Sequence, residues 1–173
     1  RIGLLGYGTV GSAFVDLLES QKSTILLRTG LELVVTHVAV SDLNKDRPGL
    51  DAQTILTDKP SEVIKNNEVD LVVELMGGLL PARDLVKAAL ENNKPVITAN
   101  KELLSKEGKY LFMLAGERNV DLLFEAAVAG GIPLIRVLRQ SLLGEPVEKI
   151  MGIVNGTTNY ILSQMEEKAM PYS

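Results

Sequence analysis

Three glycines near the start of the chain constrain its fold more than any other feature of the sequence. They occur as Gly6-Tyr7-Gly8-Thr9-Val10-Gly11, directly after an apolar run and before an amphipathic stretch. In a turn that joins a strand to a helix, the first glycine permits the bend, the second leaves room for a diphosphate, and the third lets the helix approach the strand. The first amides of the helix would then face the phosphates. A glycine-rich turn without a ligand is the alternative, but the placement between strand and helix favours dinucleotide binding.

Short apolar runs alternate with amphipathic stretches up to about residue 132. This alternation is typical of a Rossmann-type, doubly wound α/β fold, in which helices cover both faces of a mostly parallel sheet. We predict a dinucleotide-binding domain over residues 1–132 and the beginning of a catalytic and dimerisation domain over residues 133–173. The predicted strands are Ile2–Leu5, Leu33–Val40, Leu71–Leu75, Pro95–Thr98 and Asp121–Phe124.

Residues that start or stop helices divide the amphipathic stretches. Pro60 and Pro81 stand where helices can begin, and Asn100 is a predicted N-cap. Asn92-Asn93 and Gly116 stand where helices can end. The chain opens within a strand and closes in a helix-like segment, so we expect it to be a fragment of a longer protein.

Composition narrows the functional classes. The formal net charge is -4 with dispersed Lys and Arg residues, so we expect no nucleic-acid partner. The sequence has no cysteine, which excludes disulfides and thiolate metal sites within it. It also contains no apolar run of about 18 residues. We therefore expect a cytoplasmic protein with a small-molecule substrate and no membrane partner.

The end of the second predicted strand should carry the acid that holds the adenosine ribose. Asp42 occupies that place, although it lies further from the glycine motif than usual. A plain turn residue is the alternative for Asp42. Lys45 and Arg47 follow closely and could pair with a 2′-phosphate instead. The sequence therefore leaves the choice between NAD and NADP open.

Two further segments follow predicted strands, at the sheet edge where ligands bind in open α/β folds. In Glu74-Leu75-Met76-Gly77-Gly78, the glycines allow the backbone to approach a flat ring, and we assign Met76 and Gly77 to the cofactor site. In Ile97-Thr98-Ala99-Asn100-Lys101-Glu102, we assign Thr98 and Lys101 to it as well. Lys101 could stabilise a substrate oxygen or carboxylate, and an ordinary exposed lysine is an equally weighted alternative.

A turn of small residues follows Glu125 and ends at Pro133. Its backbone carbonyls could surround a hard cation with Glu125 supplying charge, while a tight bend with an exposed acid is the simpler interpretation. His37 is the only histidine and lies within a predicted strand, so we expect a structural role for it.

Hydroxyl and amide side chains are concentrated in Gly152–Leu162, a predicted loop that enters a helix. We assign substrate contacts to Asn155, Gly156 and Thr157. The equally weighted alternative is that Thr157 or Thr158 caps the helix.

Taken in order, these motifs resemble the homoserine dehydrogenase family. The resemblance rests on the glycine motif, on Thr98-Ala99-Asn100-Lys101, on the segment from Glu125 to Pro133 and on Asn155-Gly156-Thr157-Thr158-Asn159-Tyr160. It runs from Ile2 to about Gln164. It implies NAD(P)-dependent interconversion of L-homoserine and L-aspartate 4-semialdehyde, in the pathway to threonine, methionine and isoleucine, by a homodimer.

The resemblance also implies roles for individual residues. Cofactor contacts fall on Gly6, Gly8, Thr9, Val10 and Gly11. Lys101 is placed beside the nicotinamide and the substrate as the catalytic residue. A sodium site falls on Glu125 and the carbonyls of Val128, Gly130 and Ile132. The family's substrate carboxylates and proton-donating lysine lie beyond residue 173, so we expect the fragment to be inactive alone. Ser41-Asp42 departs from the Arg-Asp pair common in the family.

Two other functions fit the same motifs. One is a different Rossmann oxidoreductase that acts on an aspartate-derived substrate. The other is a module that senses NAD(H) without chemistry. A sensor needs neither the polar loop at Asn155 nor a lysine at the ligand edge, so the sequence favours an enzyme.

Overall fold

A parallel sheet organises the first part of the chain. Its strands are β1 (Ile2–Leu5), β2 (Val35–Ala39), β3 (Ile55–Thr57), β4 (Leu71–Glu74), β5 (Val96–Thr98) and β6 (Leu122–Leu123). Their order across the sheet is β3-β2-β1-β4-β5-β6, and each neighbouring pair is parallel. The predicted doubly wound α/β class is therefore confirmed.

The computed structural model describes residues 1–153, 155–169 and 171–172. Val154, in the predicted substrate loop, lies outside these ranges, as do Met170 and Ser173 of the predicted second domain. The chain divides into two compact units, Arg1–Gly131 and Ile132–Ser173. The described helices include no segment with the length and apolar character of a membrane span.

Helices connect the strands of the first unit. They are α1 (Thr9–Thr29), α2 (Pro60–Lys65), α3 (Ala82–Glu91) and α4 (Lys101–Arg118). Every residue of β1 is buried, because this strand lies inside the sheet with helices on both faces. Leu4 packs in one core cluster with Val15 of α1, and Leu5 packs in another with residues of α2, α3 and α4. Successive β1 side chains therefore point to opposite faces.

Most predicted boundaries agree with the structure. Pro60 is the first residue of α2, Pro81 directly precedes α3, and Asn92 ends that helix. Asn100 caps α4, because its Oδ1 accepts a hydrogen bond of 3.0 Å from the Leu103 amide.

Two features of the first unit differ from the prediction. Gly116 does not end α4; the helix continues to Arg118, and Asn119 caps it with a left-handed φ of 52°. Asparagine tolerates that conformation, which is why it replaces glycine here. Strand β3 was not predicted, because it has only three residues, two of which are exposed at the sheet edge.

The second unit contains a π-helical turn over Val137–Ser141 and the helix α5 (Gly156–Lys168). The alternative that Thr157 or Thr158 caps this helix is wrong. Asn155 is the N-cap, and its Oδ1 accepts a 2.8 Å hydrogen bond from the Thr158 amide. Asn155 has the extended backbone that an N-cap requires, whereas both threonines are already helical.

Candidate functional site

The glycine turn forms one wall of a cavity at the carboxyl ends of the strands. The cavity has a volume of about 480 Å³. Its lining comes from the turns after β1, β2, β3 and β4, which meet at the same sheet edge. The lining residues are Gly6, Tyr7, Gly8, Ala39, Val40, Ser41, Asp42, Lys45, Arg47, Asp58, Pro60, Leu75, Met76 and Pro81.

Each glycine of the turn has a distinct environment. Gly6 has a φ of +96°, and a Cβ there would lie 3.1 Å from the Leu75 backbone. A Cβ on Gly11 would lie 2.4 Å from the Gly6 carbonyl oxygen, so any side chain would separate the helix from the strand. A Cβ on Gly8 would meet no atom within 4 Å. The close approach is therefore at Gly11, while the space in front of Gly8 is open.

The start of α1 suits an anion. Gly8 is its N-cap and has no side chain that could occupy the amides of the first turn. That turn contains no acidic residue, and Val10 within it is 58% exposed. Thr9, the first helical residue, is exposed too. The helix therefore presents N–H groups and the positive end of its dipole at the cavity edge.

The far side of the cavity holds both an acid and two cations. Asp42 Oδ1 accepts a 2.9 Å hydrogen bond from the Asn44 amide, as a turn residue would. Arg47 donates to the carbonyl oxygens of Asp42 and Lys45. Its Nε is buried and has no hydrogen-bond partner within the described ranges. Asp42, Lys45 and Arg47 thus line one cavity. The residue expected to bind NAD and the residues expected to bind NADP are both at this site.

Tyr7 connects this loop to the glycine turn, a contact that the sequence did not reveal. Its hydroxyl donates a 3.4 Å hydrogen bond to the Pro48 carbonyl oxygen. Burial raises the pKa of the Tyr7 phenol, and nearby Asp16 raises it further, while Arg47 acts in the opposite direction. The phenol therefore remains a neutral hydrogen-bond donor at physiological pH.

The predicted nicotinamide side is organised around Glu74, which has no exposed surface. Its Oε1 accepts hydrogen bonds from the amides of Met76 and Gly77, at 2.8 and 3.2 Å. Its Oε2 accepts one from the Thr98 hydroxyl at 2.5 Å. Among the described residues, Met76 lines the cavity, whereas Gly77, Thr98 and Lys101 lie outside its lining.

Lys101 is the first residue of α4 and is exposed. It follows Asn100, whose Nδ2 donates a 2.6 Å hydrogen bond to the Gly78 carbonyl oxygen. The lysine backbone is therefore held close to the glycine loop that follows β4. Lys101 is thus adjacent to the ligand edge of the sheet without a place in the cavity wall.

The segment after Glu125 starts as a short 3-10 helix, Glu125–Ala127. Val128 is extended, and Gly130 has a left-handed φ of 59°. Ile132 begins the second unit. Searched over the described ranges, the chain has no cluster of three or more His, Asp or Glu side chains that could hold a metal.

The remaining predicted residues have clear local roles. Asn155, Gly156 and Thr157 form the exposed start of α5, with the Asn155 side chain engaged as its cap. His37 is buried, with Nδ1 lying 3.0 Å from Thr36 Oγ1 and Nε2 lying 2.9 Å from Asn66 Nδ2. The predicted structural role of His37 is confirmed.

Family comparison identifies this architecture. Residues 6–125 match the model of the NAD-binding domain of homoserine dehydrogenase, and residues 133–173 match the homoserine dehydrogenase model. The chain belongs to the homoserine dehydrogenase family. The expected family and the Rossmann fold that it implies are thereby confirmed.

Named homoserine dehydrogenases match nearly the whole chain. The protein from Corynebacterium glutamicum is 44% identical over 99% of this chain, and that from Bacillus subtilis is 40% identical over 99%. The chain covers 38% and 40% of those two proteins.

Solved homoserine dehydrogenase structures share the fold. The enzyme from Thiobacillus denitrificans has a TM-score of 0.88 and 44% identity; 99% of this chain is covered and 39% of that one. A hyperthermophilic archaeal homoserine dehydrogenase in complex with NADPH has a TM-score of 0.77 and 28% identity. The match covers 96% of this chain and 56% of that one.

Proposed function

We propose that the full-length protein interconverts L-homoserine and L-aspartate 4-semialdehyde with NAD(H) or NADP(H). The observation that carries this proposal is the open space at Gly8, in front of a helix start that has no side-chain cap and beside a cavity of about 480 Å³. Family membership supplies the reaction. Residues 1–132 would hold the cofactor, and residues 133–173 would begin the catalytic domain.

The cofactor would lie across the carboxyl edge of the sheet. The amides beginning at Gly8, Thr9 and Val10 would bind the diphosphate, with Gly6 and Gly11 shaping the turn. Asp42 would hold the adenosine ribose, or Lys45 and Arg47 a 2′-phosphate. Met76, Gly77 and Thr98 would form or support the nicotinamide side. The match to the NAD-binding family model and the NADPH complex of the archaeal relative together support a nicotinamide nucleotide.

When bound, the nicotinamide supplies the hydride chemistry. The exposed Lys101 would place a positive charge near the substrate oxygen and stabilise the charge that develops there. Asn155, Gly156 and Thr157 would contact the substrate. By resemblance, we also propose a sodium ion at Glu125, Val128, Gly130 and Ile132, a homodimer, a cytoplasmic location, and a role in threonine, methionine and isoleucine biosynthesis.

The direct test is turnover by the full-length protein, followed by nicotinamide absorbance with homoserine present. We expect Lys101→Gln to lower kcat by roughly 10²-fold or more, the usual effect of removing a group that stabilises transition-state charge. Lys106→Gln is the matched control, because Lys106 lies on the same helix and pairs with Glu102 at 2.7 Å. Nucleotide binding without turnover would favour the sensor alternative instead.

A further inference from the structure

A set of hydrogen bonds joins the ends of β4 and β5 to the loop that follows β4 and to the start of α4. Glu74 binds the amides of Met76 and Gly77 through one oxygen and the Thr98 hydroxyl through the other. Thr98 Oγ1 in turn accepts a 3.0 Å hydrogen bond from the Asn100 amide. The Thr98 proton is therefore directed at Glu74.

Asn100 completes the set from the helix side. Its Oδ1 accepts a hydrogen bond from the Leu103 amide, and its Nδ2 donates one to the Gly78 carbonyl oxygen. The loop is consequently held at its start by Glu74 and at its end by Asn100. Gly77 and Gly78 both have left-handed φ values, of 73° and 71°, a shape that these bonds maintain.

Burying a carboxylate is costly, and packing alone does not require one at this position. Three donors satisfy its two oxygens, so the group acts entirely as an acceptor. A carboxamide keeps only part of this pattern: if its oxygen accepts from the two amides, its NH2 group must donate to Thr98 Oγ1, and the threonine proton then loses its acceptor. The arrangement therefore depends on the carboxylate itself.

We propose that Glu74 is a positioning residue, whose carboxylate fixes the loop Met76–Gly78 against the start of α4 and so sets the place of the nicotinamide relative to Lys101. This inference rests on the proposed function. It assigns Glu74 to one end of the cofactor only, because the glycine turn and Asp42 hold the other end. Loss of the carboxylate should then weaken binding of the nicotinamide half and spare the ADP-ribose half.

Paired ligands separate these halves. NADH is compared with ADP-ribose, and NADPH with 2′-phospho-ADP-ribose, by calorimetry on the whole chain. For Glu74→Gln, we expect roughly tenfold weaker binding of the nicotinamide nucleotide and unchanged binding of the matching ligand without nicotinamide, because the loop is no longer preorganised. Hydrogen exchange at the Met76 and Gly77 amides should also accelerate.

Two further variants secure the result. Thr98→Val breaks the same set of bonds without touching the carboxylate, so it should show the same selective loss even if Glu74→Gln fails to fold. Thr57→Val removes a similar Thr–Glu hydrogen bond, between Thr57 and Glu62, and should not change the ratio of the two affinities. The inference would be overturned if Glu74→Gln and Thr98→Val weakened the binding of both ligands equally. It would also be overturned if these variants weakened the binding of neither ligand. Absence of binding by the unmodified chain would overturn the proposed function, and this inference with it.

Discussion

Two strand-to-helix turns of the sheet use the same threonine device. After β3, Thr57 Oγ1 accepts a 3.0 Å hydrogen bond from the Lys59 amide and donates a 2.6 Å hydrogen bond to Glu62. After β5, Thr98 Oγ1 accepts one of 3.0 Å from the Asn100 amide and donates one of 2.5 Å to Glu74. In both, the last residue of the strand orients the amide at the start of the next helix.

The two turns differ in where the carboxylate comes from. Glu62 belongs to the first turn of α2, and its side chain is 55% exposed and 3.7 Å from the Lys59 ammonium. Glu74 comes from the neighbouring strand and is fully buried. The local version starts a helix, whereas the cross-strand version also fixes a loop at the ligand edge. The same threonine–glutamate hydrogen bond thus stabilises only a helix start in one turn, whereas in the other it also shapes the candidate ligand site.

The largest contrast should come from removing the two carboxylates. Glu74→Ala leaves three donors without their acceptor in a buried place, and we expect a loss of about 3 kcal/mol or more in the free energy of unfolding. Glu62→Ala should cost less than about 1 kcal/mol, because water can replace an exposed carboxylate. Urea unfolding measures both. Equal losses would show that burial does not distinguish the turns.

Removing the hydroxyls should give a smaller contrast in the same direction. Thr98→Val keeps the shape of the side chain but leaves the Asn100 amide and one Glu74 oxygen unpaired, so we expect a loss of about 2 kcal/mol. Thr57→Val should cost about 1 kcal/mol, since the Lys59 and Glu62 partners remain accessible to water. Thermal unfolding of the two variants side by side tests the ranking, which a larger effect of Thr57→Val would reverse.

The helix starts themselves should show the smallest contrast. Asn100 caps α4 with its side chain, so Asn100→Ala should lower stability by about 1 kcal/mol. Lys59 is the N-cap of α2 but makes no side-chain cap hydrogen bond, so Lys59→Ala should lie within about 0.5 kcal/mol of the unmodified chain. Denaturation midpoints compare them, and a marked effect of Lys59→Ala would argue against this distinction.

Local sequence patterns predict one part of this molecule and miss another. The glycine motif, the strand ends and the Asn100 cap depend on neighbours within a few residues, so their patterns were readable. The bond between Glu74 and Thr98 joins residues far apart in the chain, and only the strand order brings them together. The sequence pattern around Glu74 therefore predicts no role for it.

The errors in element boundaries have a similar origin. Strand β3 is short and exposed. Its extended conformation depends on pairing with β2, which no local sequence pattern predicts. Asn119 and Asn155 took the capping roles expected of Gly116 and of Thr157 or Thr158. In each case several neighbouring residues could start or end the helix, and the sequence pattern alone did not distinguish between them.

The amides at the start of α1, behind Gly8, are the proposed binding site for the diphosphate of a nicotinamide nucleotide. The most direct measurement is calorimetric titration of NADH and NADPH into the unmodified chain, Gly8→Ala and Gly116→Ala. A Cβ meets no neighbouring atom at either glycine, so both variants should fold. We predict binding by the unmodified chain and Gly116→Ala and marked loss in Gly8→Ala; equal binding by all three, or binding by none, would show that these amides do not receive the diphosphate.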